Sequence, residues 1–254
     1  MVEDLKALRV THESAVLKVE LSTPETGNAI SGQVLDELLS VLDAVHDDPG
    51  IRVLVLSGAG DNFCLGGERS EFATLLAADP GGAGLHALAN KARRVCDALA
   101  TAHAVTIARL HGGVVGAGLG LAVFCDLRVG ADTSRYRMPE LGLGVPPAWG
   151  GVLPRLLNEA GTAKVRELIL TAENFSAAKA AELSVLHKVV PESELDDAVT
   201  RWIRPLVRRS PAALRSAKVM LNAYAGASRL ADASLFDAEL LLASVTAAEA
   251  ARAR

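Results

Sequence analysis

Residues 105–151 read VTIARLHGGVVGAGLGLAVFCDLRVGADTSRYRMPELGLGVPPAWGG. VTIARL is an apolar run of strand length, HGGVVGAGLGL a glycine-rich turn, AVFCDL a short apolar helix, and LRVGA a further strand. Strand, turn, helix and strand in this order build a sheet with mainly parallel pairing, so the stretch predicts an α/β fold. The same alternation runs upstream. Residues 14–21 (SAVLKVEL) and 51–57 (IRVLVLS) read as strands, and between them apolar residues recur at helical spacing from Val34 to Val45. Ser31 is placed to cap that helix and Pro49 lies beyond its end. A second helix spans about 85–100.

After Trp149 the pattern predicts helices only, over about 151–158, 162–171, 177–184, 193–208, 211–223 and 229–251. The last carries apolar residues at Leu230, Leu235, Leu240, Leu241 and Val245. A helix placed there packs onto its own domain or a neighbouring subunit. The segment GERSEFATLLAADPGGAGLHAL holds two helical stretches parted by Asp79, Pro80, Gly81, Gly82 and Gly84, and reads either as a lid or as a plain surface loop.

Composition narrows the function. A chain of 254 residues that is 50% hydrophobic can bury a sizeable core. Its net charge of −4 gives no general attraction to nucleic acid or to an anionic membrane. Cys64, Cys96 and Cys125 are too few and too scattered for a disulfide framework or a zinc site, so no metal is expected and the chain reads as reduced and cytoplasmic. No signal-like N-terminus and no apolar run of about 18 residues predict a membrane partner.

Three places can carry chemistry. In GAGDNFCLGGERS, Gly66 and Gly67 allow unusual dihedrals and leave the Gly67 amide unshielded; the same residues would also serve a plain strand-to-helix turn. In HGGVVGAGLGL, a helix beginning just after Val115 would present unpaired amides near Gly116 and Ala117 to a developing negative oxygen. Close packing of helix on strand is the competing use of those glycines. A dinucleotide fingerprint fits less well, because the spacing is GxGxG rather than GxGxxG. Glu140 stands among Leu, Gly, Val and Pro, where desolvation would raise its pKa and suit it to pass protons near neutrality. His103 and His111 read as ends of strands, Cys64 as a small buried hydrophobe, and Asp126 as a cap or anchor.

With these residues in place, the chain resembles the crotonase superfamily, the enoyl-CoA hydratase and isomerase family. The resemblance rests on TPETGNAIS, IRVLVLSGAGDNFCLGGE, HGGVVGAGLGLAVFCDLRVGAD, YRMPELGLGVPPAWGGVLPRLL and ELILTAENFSAAKAAELSVLHKVVP, in the family's order from about 22 to 191. It implies a crotonase-like ββα spiral core over 1–195, a C-terminal helical trimerisation region over 196–254, and assembly as a homotrimer or homohexamer. It also implies an acyl-CoA thioester as ligand, with coenzyme A entering as part of the substrate and no separate cofactor. The amides of Gly67 and Ala117 would hold the thioester oxygen. Asn28, Ala29 and Ile30, with Cys64, Leu65 and Gly66, fall where the family holds the CoA moiety. Gly116, Gly120, Pro139 and Trp149 would complete the substrate site, Trp149 as a wall of the acyl pocket.

One departure bears on the activity. Hydratases of this family carry a glutamate where this chain has Gly120, paired with the glutamate matched by Glu140. Adding water across a double bond needs one group to activate water and another to protonate carbon. A 1,3-proton shift needs one carboxyl, so an isomerase-like reaction by Glu140 is expected first. Hydration returns if Glu68 or Glu71 enters the pocket; thioester hydrolysis, decarboxylation and a non-catalytic acyl-CoA binding subunit are the other readings.

Overall fold

Two runs of apolar residues that alternate in direction build the central sheet. The computed structural model describes residues 5–226 and 236–252. Strands β1 (Leu8–Glu13) and β2 (Val16–Leu21) form an antiparallel hairpin, and β2 pairs in parallel with β3 (Val53–Gly58), with Val16 opposite Val53. Strands β4 (Val105–Leu110), β6 (Leu127–Ala131) and β9 (Lys188–Val190) continue in parallel, giving the order β1-β2-β3-β4-β6-β9. Along β3, Leu54 and Leu56 join one buried cluster while Val53 and Val55 join another. The sheet is therefore covered on both faces, as parallel sheets require.

Helices supply the cover. On one face lie α1 (Gly32–Asp47), through Val34, Leu38, Val41 and Val45, and α3 (Ala83–Thr101), through Leu85, Ala92, Val95 and Leu99. Ser31 caps α1 as expected, its hydroxyl accepting the Val34 N–H at 3.3 Å. On the other face lies α8 (Leu195–Leu206), through Leu195, Ala198, Val199 and Leu206. The expected domain boundary at 195 falls on the first residue of this helix, which packs on the sheet.

A second, three-stranded sheet of β5 (Gly113–Val115), β7 (Arg135–Arg137) and β8 (Phe175–Ser176) lies beside the first. The chain alternates between the two: β4 then β5 then helix α4 (Ala117–Phe124), and next β6 then β7 then a 3-10 turn at Glu140–Leu143. Cys64 bridges to Val114 after β3, so an earlier turn of the spiral has the same form and leads into α2 (Arg69–Ala78).

Helices α5 (Val152–Ala160), α6 (Thr162–Thr171), α7 (Ala177–Glu182), α9 (Pro211–Gly226) and α10 (Asp237–Arg252) complete the described chain. The helix-only expectation after Trp149 is corrected by β8 and β9, which have two and three residues and show no period of their own; each is fixed by a strand already in place. The expected start of the last helix at 229, with Leu230 and Leu235, lies outside the described residues. Within α10, Leu241 and Val245 are buried and Leu240 is exposed. The helix packs against α3 and α2 of its own chain.

Candidate active site

The backbone of the first glycine turn is held on both sides. Phe63 and Cys64 donate to the carbonyls of His111 and Gly113, and the Cys64 carbonyl accepts the Val115 N–H at 3.0 Å. On the other side, Ile30 donates to the Gly66 carbonyl at 2.8 Å and accepts the Glu68 N–H at 2.9 Å. Ile30 and Gly67 thus form a parallel bridge, which turns the Gly67 N–H to the opposite edge, where it has no hydrogen-bond partner among the described residues.

The second turn presses against the first. A β-carbon on Gly118 would lie 2.6 Å from the Cys64 β-carbon and carbonyl oxygen, so this glycine serves close packing. Gly116 serves conformation, with φ +50°, and its N–H donates to the Arg137 carbonyl at 2.9 Å. Ala117 opens α4, and as the first helical residue its N–H has no carbonyl a turn behind it. The close-packing reading is realised at Gly118, while the amide expected to be open at Gly116 is engaged, which leaves that of Ala117.

Glu140 completes the site. It begins the 3-10 turn after β7, and its Oε1 lies 3.0 Å from the point a Gly116 β-carbon would occupy. Its Oε2 is buried and has no hydrogen bond among the described residues. Burial pushes its pKa up to about 7. A cavity of about 280 Å³ joins Glu140 to the Gly67 and Ala117 positions. Expected residues Leu65, Gly66, Gly116, Pro139 and Trp149 also line it.

Other expected residues lie outside this cavity. Asn28 and Cys64 do not line the cavity: the Asn28 side-chain amide donates to the Ala59 and Asn62 carbonyls, both at 2.8 Å, and its oxygen accepts from Thr23 N–H. Cys64 is fully buried, and burial pushes its thiol pKa up to about 12, which makes it inert packing. Ala29 and Ile30 also stand outside the cavity, Ile30 in the core and tied to the first turn through its backbone. Gly120 does not reach it either. A β-carbon there would meet the Trp149 ring at 2.7 and 2.8 Å, so the indole fills the direction in which a side chain would grow.

The acids of the α2 segment are otherwise engaged. Glu68 accepts from the Ser70 N–H and hydroxyl, and Glu71 accepts the Gly32 N–H at 2.8 Å at the start of α1. Neither lines the cavity. Asp126 anchors as expected, accepting from Thr106 and from the buried ammonium of Lys218. His111 sits 2.8 Å from the Gly60 carbonyl oxygen. Among the described residues no cluster could hold a metal ion, and no helix is long and apolar enough to cross a membrane.

Sequence reasoning missed Arg69, Phe72, Arg137, Val145 and Leu241, all of which line the cavity. Arg137 had a visible signal, a charge three residues before Glu140 in an otherwise apolar motif. Leu241 had none, because it arrives from the far end of the chain.

Known proteins are similar to this chain in sequence and in fold. A Mycobacterium bovis protein named "Probable enoyl-CoA hydratase" is 32% identical over 235 residues, which cover 92% of this chain and 88% of its own. A peroxisomal Δ(3,5)-Δ(2,4)-dienoyl-CoA isomerase of Arabidopsis thaliana is 29% identical over 225 residues, 85% of this chain and 81% of that one. The crystal structure of an enoyl-CoA hydratase/isomerase from Marinobacter aquaeolei superposes with a TM-score of 0.80 at 28% identity, covering 97% of this chain and 91% of the other. The sequence model of the enoyl-CoA hydratase/isomerase family matches residues 11–252, and this chain, with its two sheets, two facing glycine turns and a half-buried Glu140 on the cavity, belongs to that family, the crotonase superfamily.

Proposed function

We propose that this enzyme isomerises an enoyl-CoA by a 1,3-proton shift with Glu140 as its sole proton carrier. The observation that carries the reading is the pairing of Glu140 with Gly120: the first carboxyl stands unpartnered in the cavity, and the space a second would need is filled by the Trp149 ring. Glu140 is the one carboxyl among the described cavity-lining residues. As carboxylate it takes a proton from C2 of a 3-enoyl thioester, and the electron pair moves into a dienolate whose oxygen is held by the Gly67 and Ala117 amides. As carboxylic acid it returns the proton to C4, leaving the conjugated 2-enoyl thioester. Each amide donor of this kind is worth about 3 kcal/mol of barrier. A pKa of about 7 suits a group that must be base in one step and acid in the next.

Coenzyme A enters as part of the substrate. The engagement of Glu68 and Glu71 elsewhere supports proton transfer over hydration. Assembly as a homotrimer or homohexamer is supported by exposed apolar residues on α9, where Met220, Leu221 and Tyr224 are 56%, 71% and 76% exposed.

The test is turnover of a matched pair, a 3-enoyl-CoA and a 2-enoyl-CoA, in deuterated water. Conjugated product from the 3-enoyl substrate, with deuterium entering at C2 or C4 and the rate lost in Glu140→Gln, is the expected result. Loss of conjugation from the 2-enoyl substrate with no isomerisation would establish hydration instead.

A further inference from the structure

Apart from Glu140, the charged side chains on the cavity wall are two arginines. Arg137 ends β7 and is half-buried; its Nε donates to the Ala172 carbonyl at 2.8 Å. That bond fixes the plane of the guanidinium and leaves both terminal nitrogens without a partner among the described residues. Arg69, the first residue of α2, is exposed at the cavity edge and makes no ion pair among the described residues. Glu140 does not neutralise them, since no ion pair joins it to either arginine. Neither terminal nitrogen of Arg137 is buried, so both stand open as donors to a ligand anion that reaches the cavity. A planar guanidinium with free terminal donors matches a carboxylate in two parallel hydrogen bonds.

We propose that the acyl group of this enzyme's substrate carries its own carboxylate, gripped by Arg137 and attracted by Arg69. The inference rests on the acyl-CoA reading and deepens it, naming the substrates as half-thioesters of dicarboxylic acids. The alternative anion, a phosphate of coenzyme A, does not fit the geometry. The Gly67 and Ala117 amides fix the thioester in this cavity, and the phosphates lie a whole pantetheine arm away. Arg137 is also tied to the oxyanion turn itself, through the hydrogen bond from Gly116 N–H to its carbonyl.

The experiment measures binding of two saturated thioesters, glutaryl-CoA and pentanoyl-CoA, by calorimetry, so that no turnover intervenes. Wild type is expected to bind glutaryl-CoA about 10- to 100-fold more tightly, the range of a charge-assisted hydrogen bond. Arg137→Gln should abolish the preference, and Arg69→Gln should reduce it several-fold. Because Arg137 also bonds Ala172, the wild-type comparison and Arg69→Gln decide the matter even if Arg137→Gln fails to fold. Equal binding of both thioesters by wild type would overturn the inference and leave the isomerase reading standing. Equal weakening of both thioesters by Arg137→Gln would mean a phosphate contact, and would also overturn it. If neither thioester binds wild type, the acyl-CoA reading falls and takes the inference with it.

Discussion

Glu37 and Glu140 are two carboxyls withdrawn from water, and the protein treats them in opposite ways. Glu37, on α1, is 5% exposed and accepts the backbone N–H groups of Lys6, Ala7 and Leu8 at 2.9, 3.0 and 2.9 Å, and the Gln33 amide at 2.6 Å. It welds the segment before β1 to the first helix. Glu140 keeps a buried oxygen with no partner among the described residues, on a residue that lines a cavity. A carboxylate with its lone pairs filled is stable and inert; one left unfilled is unstable as an anion and therefore reactive as a base. Hydrogen-bond satisfaction, more than burial, separates the structural acid from the one proposed to carry a proton.

The largest effect should come from Glu140→Gln, which keeps the shape and removes the proton carrier. Isomerisation is expected to fall about 10³-fold with thioester affinity retained, measured by rate and by calorimetry side by side. Equal loss of affinity would erase the contrast with Glu37. Glu37→Ala should instead cost about 2–4 kcal/mol in urea unfolding, because it strands the buried Ala7 and Leu8 amides, and should leave the turnover of the folded fraction unchanged.

The pH dependence of stability sharpens the same contrast. Glu140 has its pKa raised from 4.5 to about 7 on folding, so between these values the native state holds a proton that the unfolded chain has released. Wild-type stability then falls as pH rises through that window, by up to about 1.4 kcal/mol per pH unit. Glu140→Gln lacks this loss, so its stability relative to wild type should grow from pH 4.5 to 7 and level off above; denaturation midpoints at pH 5, 6, 7 and 8 test the slope. Activity should fall as pH drops below about 7, since the base form starts the reaction.

The smallest effect concerns the site where a second acid is missing. Gly120→Ala would drive a β-carbon to 2.7 Å from the Trp149 ring and should cost about 1–2 kcal/mol. In the background of Trp149→Ala that cost should vanish, a coupling that a double-mutant cycle reads directly. Additive costs would mean that the indole does not hold that space.

The sequence was legible where a pattern is local. LRVGA is β6 to the residue, and Ser31 caps α1 where the cap was expected. Strand β1 escaped because LRVTHE carries Arg9, His12 and Glu13 on exposed positions of an edge strand, which blurs its alternation. That Gly67, Ala117 and Glu140 come together on one cavity was legible from motif and physical reasoning alike. A motif does not say whether a side chain faces a ligand or a turn, and the side-chain polar atoms of Asn28 are spent on loop backbone. Leu241 and Phe72 were invisible because a cavity wall made by helices distant in sequence leaves no local trace.

The wall that α10 contributes binds two equilibria together. Leu241 lines the cavity, Asp237 accepts the Gly151 N–H at 2.8 Å beside Trp149, and Leu242 packs on Gly82 in the turn before α3. Docking of this helix and completion of the cavity are therefore one event, and any ligand that needs the finished cavity holds the helix down by mass action. Hydrogen exchange in α10 becomes a thermometer of occupancy: amides there should slow as the thioester saturates, while those of β3 and β4, buried in the sheet, should slow only through the ligand's effect on global unfolding.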